Sequence, residues 1–149
     1  MKIESILIPV DGSLLAEQAA RQGVDLASRV GARIFLLRAA LEQSFPGADP
    51  RKAQEAALQE AQEYVIALAQ RLAPGDCSRI EPFVWYGDPA TCIVEAARAR
   101  GVDLIVMSSH RRSGVRRLFL GSVAEAVLRG TTIPILLFPA ADADDPVPT

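Results

Sequence analysis

The chain has 149 residues, half of them hydrophobic and 23% charged, with a formal net charge of −2. That is enough chain for one domain with its own core, and too apolar a chain for disorder. Its balanced charge carries no global basic field to recruit nucleic acid, and no apolar stretch reaches the length needed to cross a bilayer.

Cys77 and Cys92 stand alone, with no Cys-x-x-Cys and no histidine at metal spacing, which points to a reducing compartment. Met1-Lys2-Ile3-Glu4 enters a strand pattern at once, so the cytoplasm is the expected location. The first apolar run is Ile6-Leu7-Ile8-Pro9-Val10. A helix follows over 13–30, where Leu15, Ala19, Gly23, Leu26 and Val30 form one stripe and Glu17, Arg21, Asp25 and Ser28 lie outside it. The second strand is Ile34-Phe35-Leu36-Leu37, and 41–50 read as a surface connection. Ala57, Ala61, Val65, Leu68 and Leu72 then set a second helix, stopped by Pro74-Gly75.

Phe83-Val84-Trp85-Tyr86 is the third strand, its aromatics serving packing. Asp88-Pro89 opens the third helix as N-cap and first turn, with an end near Gly101. Leu104-Ile105-Val106-Met107 is the fourth strand. The fourth helix spans 122–129 with Gly130 as its C′ residue, and Ile133-Pro134-Ile135-Leu136-Leu137-Phe138 is the fifth strand. Residues 140–149, rich in Asp and Pro, are expected to be a disordered tail after a domain of 1–139. The strands lack polar alternation, as parallel strands covered on both faces do. The β-α alternation therefore gives an α/β, Rossmann-like single domain: a doubly wound, five-stranded parallel sheet with right-handed crossovers.

Ligands of such sheets bind beyond the carboxyl ends of the strands. Neither G-x-G-x-x-G nor a P-loop is present, and Pro9-Val10-Asp11-Gly12-Ser13 follows the first strand instead. Two readings of it stand: a tight turn whose Asp or Ser caps the helix, or a carboxylate that accepts hydrogen bonds from a ligand. The segment Ser108-Ser109-His110-Arg111-Arg112-Ser113-Gly114-Val115-Arg116-Arg117-Leu118-Phe119-Leu120-Gly121-Ser122 carries four arginines and ends on a helix start. It is either an anion site suited to a phosphate or a solvated basic loop. His110 is the lone histidine, so Ser-His-Asp and zinc constellations have little to work with, and it reads as a loop hydrogen-bonder or ligand contact. Cys92 and Met107 read as core.

Three stretches together resemble the universal stress protein family. They are Ile6-Leu7-Ile8-Pro9-Val10-Asp11-Gly12-Ser13; Tyr86-Gly87-Asp88-Pro89 with Ile93-Val94-Glu95-Ala96-Ala97; and residues 102–110 with Gly121-Ser122-Val123-Ala124-Glu125-Ala126-Val127-Leu128 and residues 133–137. The resemblance implies strand order 3-2-1-4-5 and, in ATP-binding members, a pocket for ATP or AMP, with or without magnesium. It directs Pro9, Val10 and Asp11 toward the adenosine, Ala39 beside the base and Met107 under it. Ser108, His110, Arg111, Gly121, Ser122, Val123 and Ala124 fall in the phosphate loop and the helix start after it. Ser108 and Arg111 stand where the nucleotide-binding pattern has glycines. It also favours a homodimer through the fifth strand, an apolar sheet edge without charge. Three functions compete: an adenine-nucleotide-binding regulatory or stress-response module, a nucleotide-free dimeric scaffold, and at most a slow ATPase. Efficient hydrolysis is not expected, because the phosphate loop contains no acid.

Overall fold

The structure, a computed structural model, describes residues 1–41, 46–73, 79–110 and 120–140. Five strands and four helices alternate: β1 (Ser5–Val10), α1 (Leu14–Val30), β2 (Arg33–Ala40), α2 (Pro50–Leu72), β3 (Ile80–Tyr86), α3 (Pro89–Arg100), β4 (Leu104–Ser109), α4 (Ser122–Gly130) and β5 (Ile135–Pro139). All neighbours pair in parallel, in the order β3-β2-β1-β4-β5. The expected doubly wound architecture is therefore the one observed. The segment 111–119 and the tail 141–149, with the expectations placed on them, lie outside the described residues.

Side-chain alternation splits the core into two layers. Ile6, Ile8, Val10, Ile34, Leu36 and Val106 face α1 and α2. Leu7, Phe35, Leu37, Ile105 and Met107 face α3 and α4, where Cys92, Ile93, Ala124 and Val127 close over them. Burial, followed by the charge of Asp88, pushes the Cys92 thiol above its ordinary range, so it packs as a small apolar residue. Among the described residues no helix is long and apolar enough to cross a membrane.

Several local expectations change. α1 docks on the predicted stripe at Ala19, Gly23 and the partly buried Leu26, joined by Ala16, Ala20 and Ala27, whereas Val30 is exposed. A Cβ on Gly23 would stand 2.6 Å from Ile8 Cδ1, so the helix lies close against the sheet and a larger residue would require Ile8 to shift. Glu17, expected on the solvent face, is 6% exposed. It is tolerated there because Tyr64 Oη donates to it at 2.8 Å and Arg71 Nη2 at 3.2 Å. The Tyr64 hydrogen bond, with the Arg71 bond and charge, outweighs burial and holds the Glu17 carboxyl below its usual range. Tyr64 itself is pushed up to about 12, by burial first and then by Glu17.

α2 begins at Pro50, with Asp49 accepting from Arg51 N–H, two turns before the apolar stripe starts. Its first turns are largely exposed, so cap chemistry and not periodicity marks them. β3 begins at Ile80 and carries Pro82 on an edge strand, where a missing N–H is tolerated. Gly130 is the last residue of α4 and not its C′ position, and the C-cap is Thr131 with extended backbone. It packs closely there: a Cβ would meet Val94 Cγ2 at 3.0 Å.

Candidate functional site

β1 pairs with β2 along its whole length, but with β4 only at Ile6↔Leu104 and Leu7↔Ile105. Beyond that point the two central strands part at their carboxyl ends, where the strand order reverses and crevices form in this architecture. A cavity of about 560 Å³ opens there, within the usual range for small-molecule sites. Pro9, Val10, Asp11, Ala39, Met107, Ser108, His110, Gly121, Ser122, Val123 and Ala124 all line it. Every site residue singled out in the sequence is thus at one cavity, except Arg111, which lies outside the described residues. Met107 is both buried core and cavity wall.

The cavity has an apolar body and two polar ends. Leu37, Ala39, Ile93, Met107 and Val123 supply the body. At one end Asp11, just past β1, takes Ser13 N–H on Oδ1 at 3.0 Å, and Ser13 Oγ in turn caps α1 by accepting Ala16 N–H at 3.1 Å. The turn-and-cap reading of this loop is therefore realised in its geometry, while the carboxylate still borders the cavity. His110 Nε2 reaches across from β4 to Asp11 Oδ2 at 2.9 Å and lies 3.2 Å from Ser13 Oγ. An ionised carboxylate only accepts, so Nε2 carries the proton. Burial pushes the Asp11 carboxyl up, but the Ser13 hydrogen bonds and then the His110 charge and bond outweigh it, leaving the group below its usual range.

Ser13, His110 and Asp11 together are not a catalytic triad. In a triad the acid holds one imidazole nitrogen and the nucleophile meets the other. Here both contacts fall on Nε2, whose proton faces Asp11, so it cannot take one from Ser13. Among the described residues no cluster of His, Cys, Asp and Glu could hold a metal ion.

At the other end α4 begins at Gly121, which has no side-chain cap. The first free N–H groups of a helix carry its positive dipole end and need acceptors. Gly121 has φ of +90°, and a Cβ on it would stand 2.7 Å from the His110 carbonyl oxygen. Glycine is required here because the two backbones touch, which is a stronger reason than room for a ligand. Ser109 lines the same cavity at 1% exposure, and its Oγ finds no partner among the described residues. Buried hydroxyls are normally satisfied. An unpaired hydroxyl and an uncapped helix thus border one space.

The family model for the universal stress protein family matches residues 2–139. The chain belongs to that family. It is 29% identical over 137 residues to the universal stress protein MJ0531 of Methanocaldococcus jannaschii, covering 90% of this chain and 81% of the relative. With the universal stress protein in the QAH/OAS sulfhydrylase 3′ region of Thermus aquaticus it shares 31% over 135 residues, or 90% and 97% of the two chains. It spans 44% of the length of the Mycobacterium tuberculosis universal stress protein Rv2005c. Among solved structures, the hypothetical protein MJ0577 superposes with a TM-score of 0.80 at 24% identity, over 96% of this chain and 100% of that one. A universal stress protein in complex with cAMP (TM-score 0.60, 22% identity, 92% and 97% covered) has the same fold. So does one from Archaeoglobus fulgidus in complex with dAMP (0.61, 17%, 92% and 98%).

For a universal stress protein the cavity draws on more of the chain than its strand ends. Ala16 of α1, Pro89 and Ile93 of α3, Leu37, Ser109 and Glu125 also line it. Ile93 and Leu37 read as ordinary core in the sequence, because an apolar wall and a core carry the same residue types. The His110 contacts bridge separations of 97 and 99 residues, for which a single sequence holds no signal.

Proposed function

We propose that this universal stress protein binds an adenine nucleotide, ATP or AMP, in the cavity between β1 and β4, as a regulatory or stress-response module. The observation that carries the reading is the pairing of an apolar cavity with an uncapped helix start. A purine needs a flat apolar slot, and a phosphate needs free N–H groups. In this reading Pro9, Val10, Ala39 and Met107 hold the base, and Asp11 accepts from the ligand with the lone pairs that Ser13 and His110 leave open. Gly121, Ser122, Val123 and Ala124 present the amides of α4 to the phosphate, with Ser108, His110 and Arg111 beside it. The family neighbours with cAMP and dAMP support the ligand class at the level of the fold. In this reading the role is binding, with at most slow hydrolysis, since the phosphate loop contains no acid.

The sheet edge favours a second feature of the same reading, a homodimer through β5. Leu136 is 40% exposed on this edge strand, and an apolar edge is stabilised by pairing with a second copy. Sedimentation equilibrium at micromolar concentration tests it, and a mass of one chain would contradict it.

Calorimetric titration with ATP, ADP and AMP tests the ligand. Micromolar affinity is expected, on the order of −8 kcal/mol. Absence of heat, together with absence of nucleotide released from the purified and denatured protein, would overturn the assignment and leave the nucleotide-free scaffold.

A further inference from the structure

β2 ends beside β1, and its alternation puts Leu37 and Ala39 on the cavity side and Arg38 on the α1–α2 side. From there Arg38 reaches back up to the β1–α1 turn. Its Cζ lies over the Tyr64 ring, 5.4 Å from its centre. A Cβ on Gly12 would stand 3.3 Å from Arg38 Nη1, and its other near neighbours are also Arg38 atoms. The bare, exposed Cα of Gly12 therefore faces one cation. The neighbouring Arg71, by contrast, is paired with Glu17. Arg38 has no carboxylate partner among the described residues, and its Nε is buried without an acceptor. A half-buried arginine left without an anion beside a ligand cavity lacks the partner its desolvation calls for.

Gly12 adjoins Asp11, the proposed acceptor for the nucleotide's hydroxyls. In dinucleotide-binding doubly wound folds an acid past the first βα turn takes the ribose hydroxyl, and an arginine nearby takes a ribose phosphate instead. Extending the adenine-nucleotide reading above, we infer that Arg38 and Gly12 form a second anion subsite that selects nucleotides carrying a further phosphate on the ribose 2′ or 3′ oxygen. The phosphate lies beside the β1–α1 turn and accepts from the guanidinium edge that Gly12 and Tyr64 leave uncovered.

The test compares adenosine 5′-monophosphate with adenosine 2′,5′- and 3′,5′-bisphosphate by calorimetry at one salt concentration, on wild type, Arg38→Gln and Arg38→Lys. Wild type is expected to bind one bisphosphate isomer about tenfold tighter than the monophosphate. Arg38→Gln is expected to bring that ratio to about one, with Arg38→Lys between, because a point charge lacks the fork. Thermal melts establish that the variants are folded, and the wild-type comparison needs no variant. Monophosphate binding without preference in wild type overturns the subsite alone. A preference that survives Arg38→Gln does the same, by assigning it to general charge. Failure of all three ligands overturns both the subsite and the nucleotide reading.

Discussion

Among the described residues three helices begin on a side chain that holds an early amide, and one does not. Ser13 accepts from Ala16 at α1, Asp49 from Arg51 at α2 and Asp88 from Thr91 at α3. α4 begins on Gly121 with no such bond, and the residues of this start, 121–125, border the cavity. Yet α1 also borders the cavity, through Ala16, and is capped. The two helix starts facing one space are therefore built for different ends. At α1 the chain satisfies itself through Ser13, whereas at α4 no side chain does so, and in the proposed reading a phosphate takes that place.

The largest effect is expected from breaking the α4 side. Gly121→Ala puts a Cβ 2.7 Å from the His110 carbonyl at a left-handed backbone position. A loss of about 2–4 kcal/mol is expected in denaturant unfolding, from strain and displaced backbone together. Retention of wild-type stability would mean that the two backbones are not held together there. Next comes Arg111→Ala, expected to weaken ATP by about 1.5–3 kcal/mol, with a smaller loss for AMP. Tighter ATP binding by Arg111→Gly would instead make the arginine an obstruction.

The fold was legible in the sequence because its signals are local. Apolar runs at strand length, Asp88-Pro89 as cap and first turn, and the alternation of patterns are properties of neighbouring residues. What was hidden is relational. Glu17 reads as surface by type and is buried because Tyr64 and Arg71 arrive from another helix. Gly130 reads as a helix stop and is a contact with Val94. At the site, the loops that carry polar residues were visible, while Ile93 and Leu37 were indistinguishable from core. The meeting of His110 with Asp11 exists only once β1 and β4 are adjacent.

Smaller changes sharpen the contrast between the helix starts. Ser13→Ala removes the α1 cap and is expected to cost about 1 kcal/mol in chemical denaturation. Ser122→Ala removes a hydroxyl that caps nothing, so unfolding is expected to stay within about 0.5 kcal/mol of wild type. Equal losses in both variants would erase the distinction. Smallest is the acid dependence of the Asp11 end. Its carboxyl is held below the usual 3.8 in the folded protein, so its contribution is present above that value and lost as pH falls through the lower folded one. The stability gap between wild type and Asp11→Asn is expected to be flat above about pH 5 and to close below about pH 4. A gap that widens in acid would reverse the sign assigned to the Ser13 and His110 contacts.

The central claim is that α4's opening amides are kept free for a phosphate. Amide chemical shifts read it directly, by titrating the labelled protein with AMP and, separately, with adenosine. The amides of Ser122, Val123 and Ala124 are expected to move strongly with AMP and little with adenosine, while Ala16, held by Ser13, moves little with either. AMP that binds without moving those three amides, or moves them no more than adenosine does, would contradict the account.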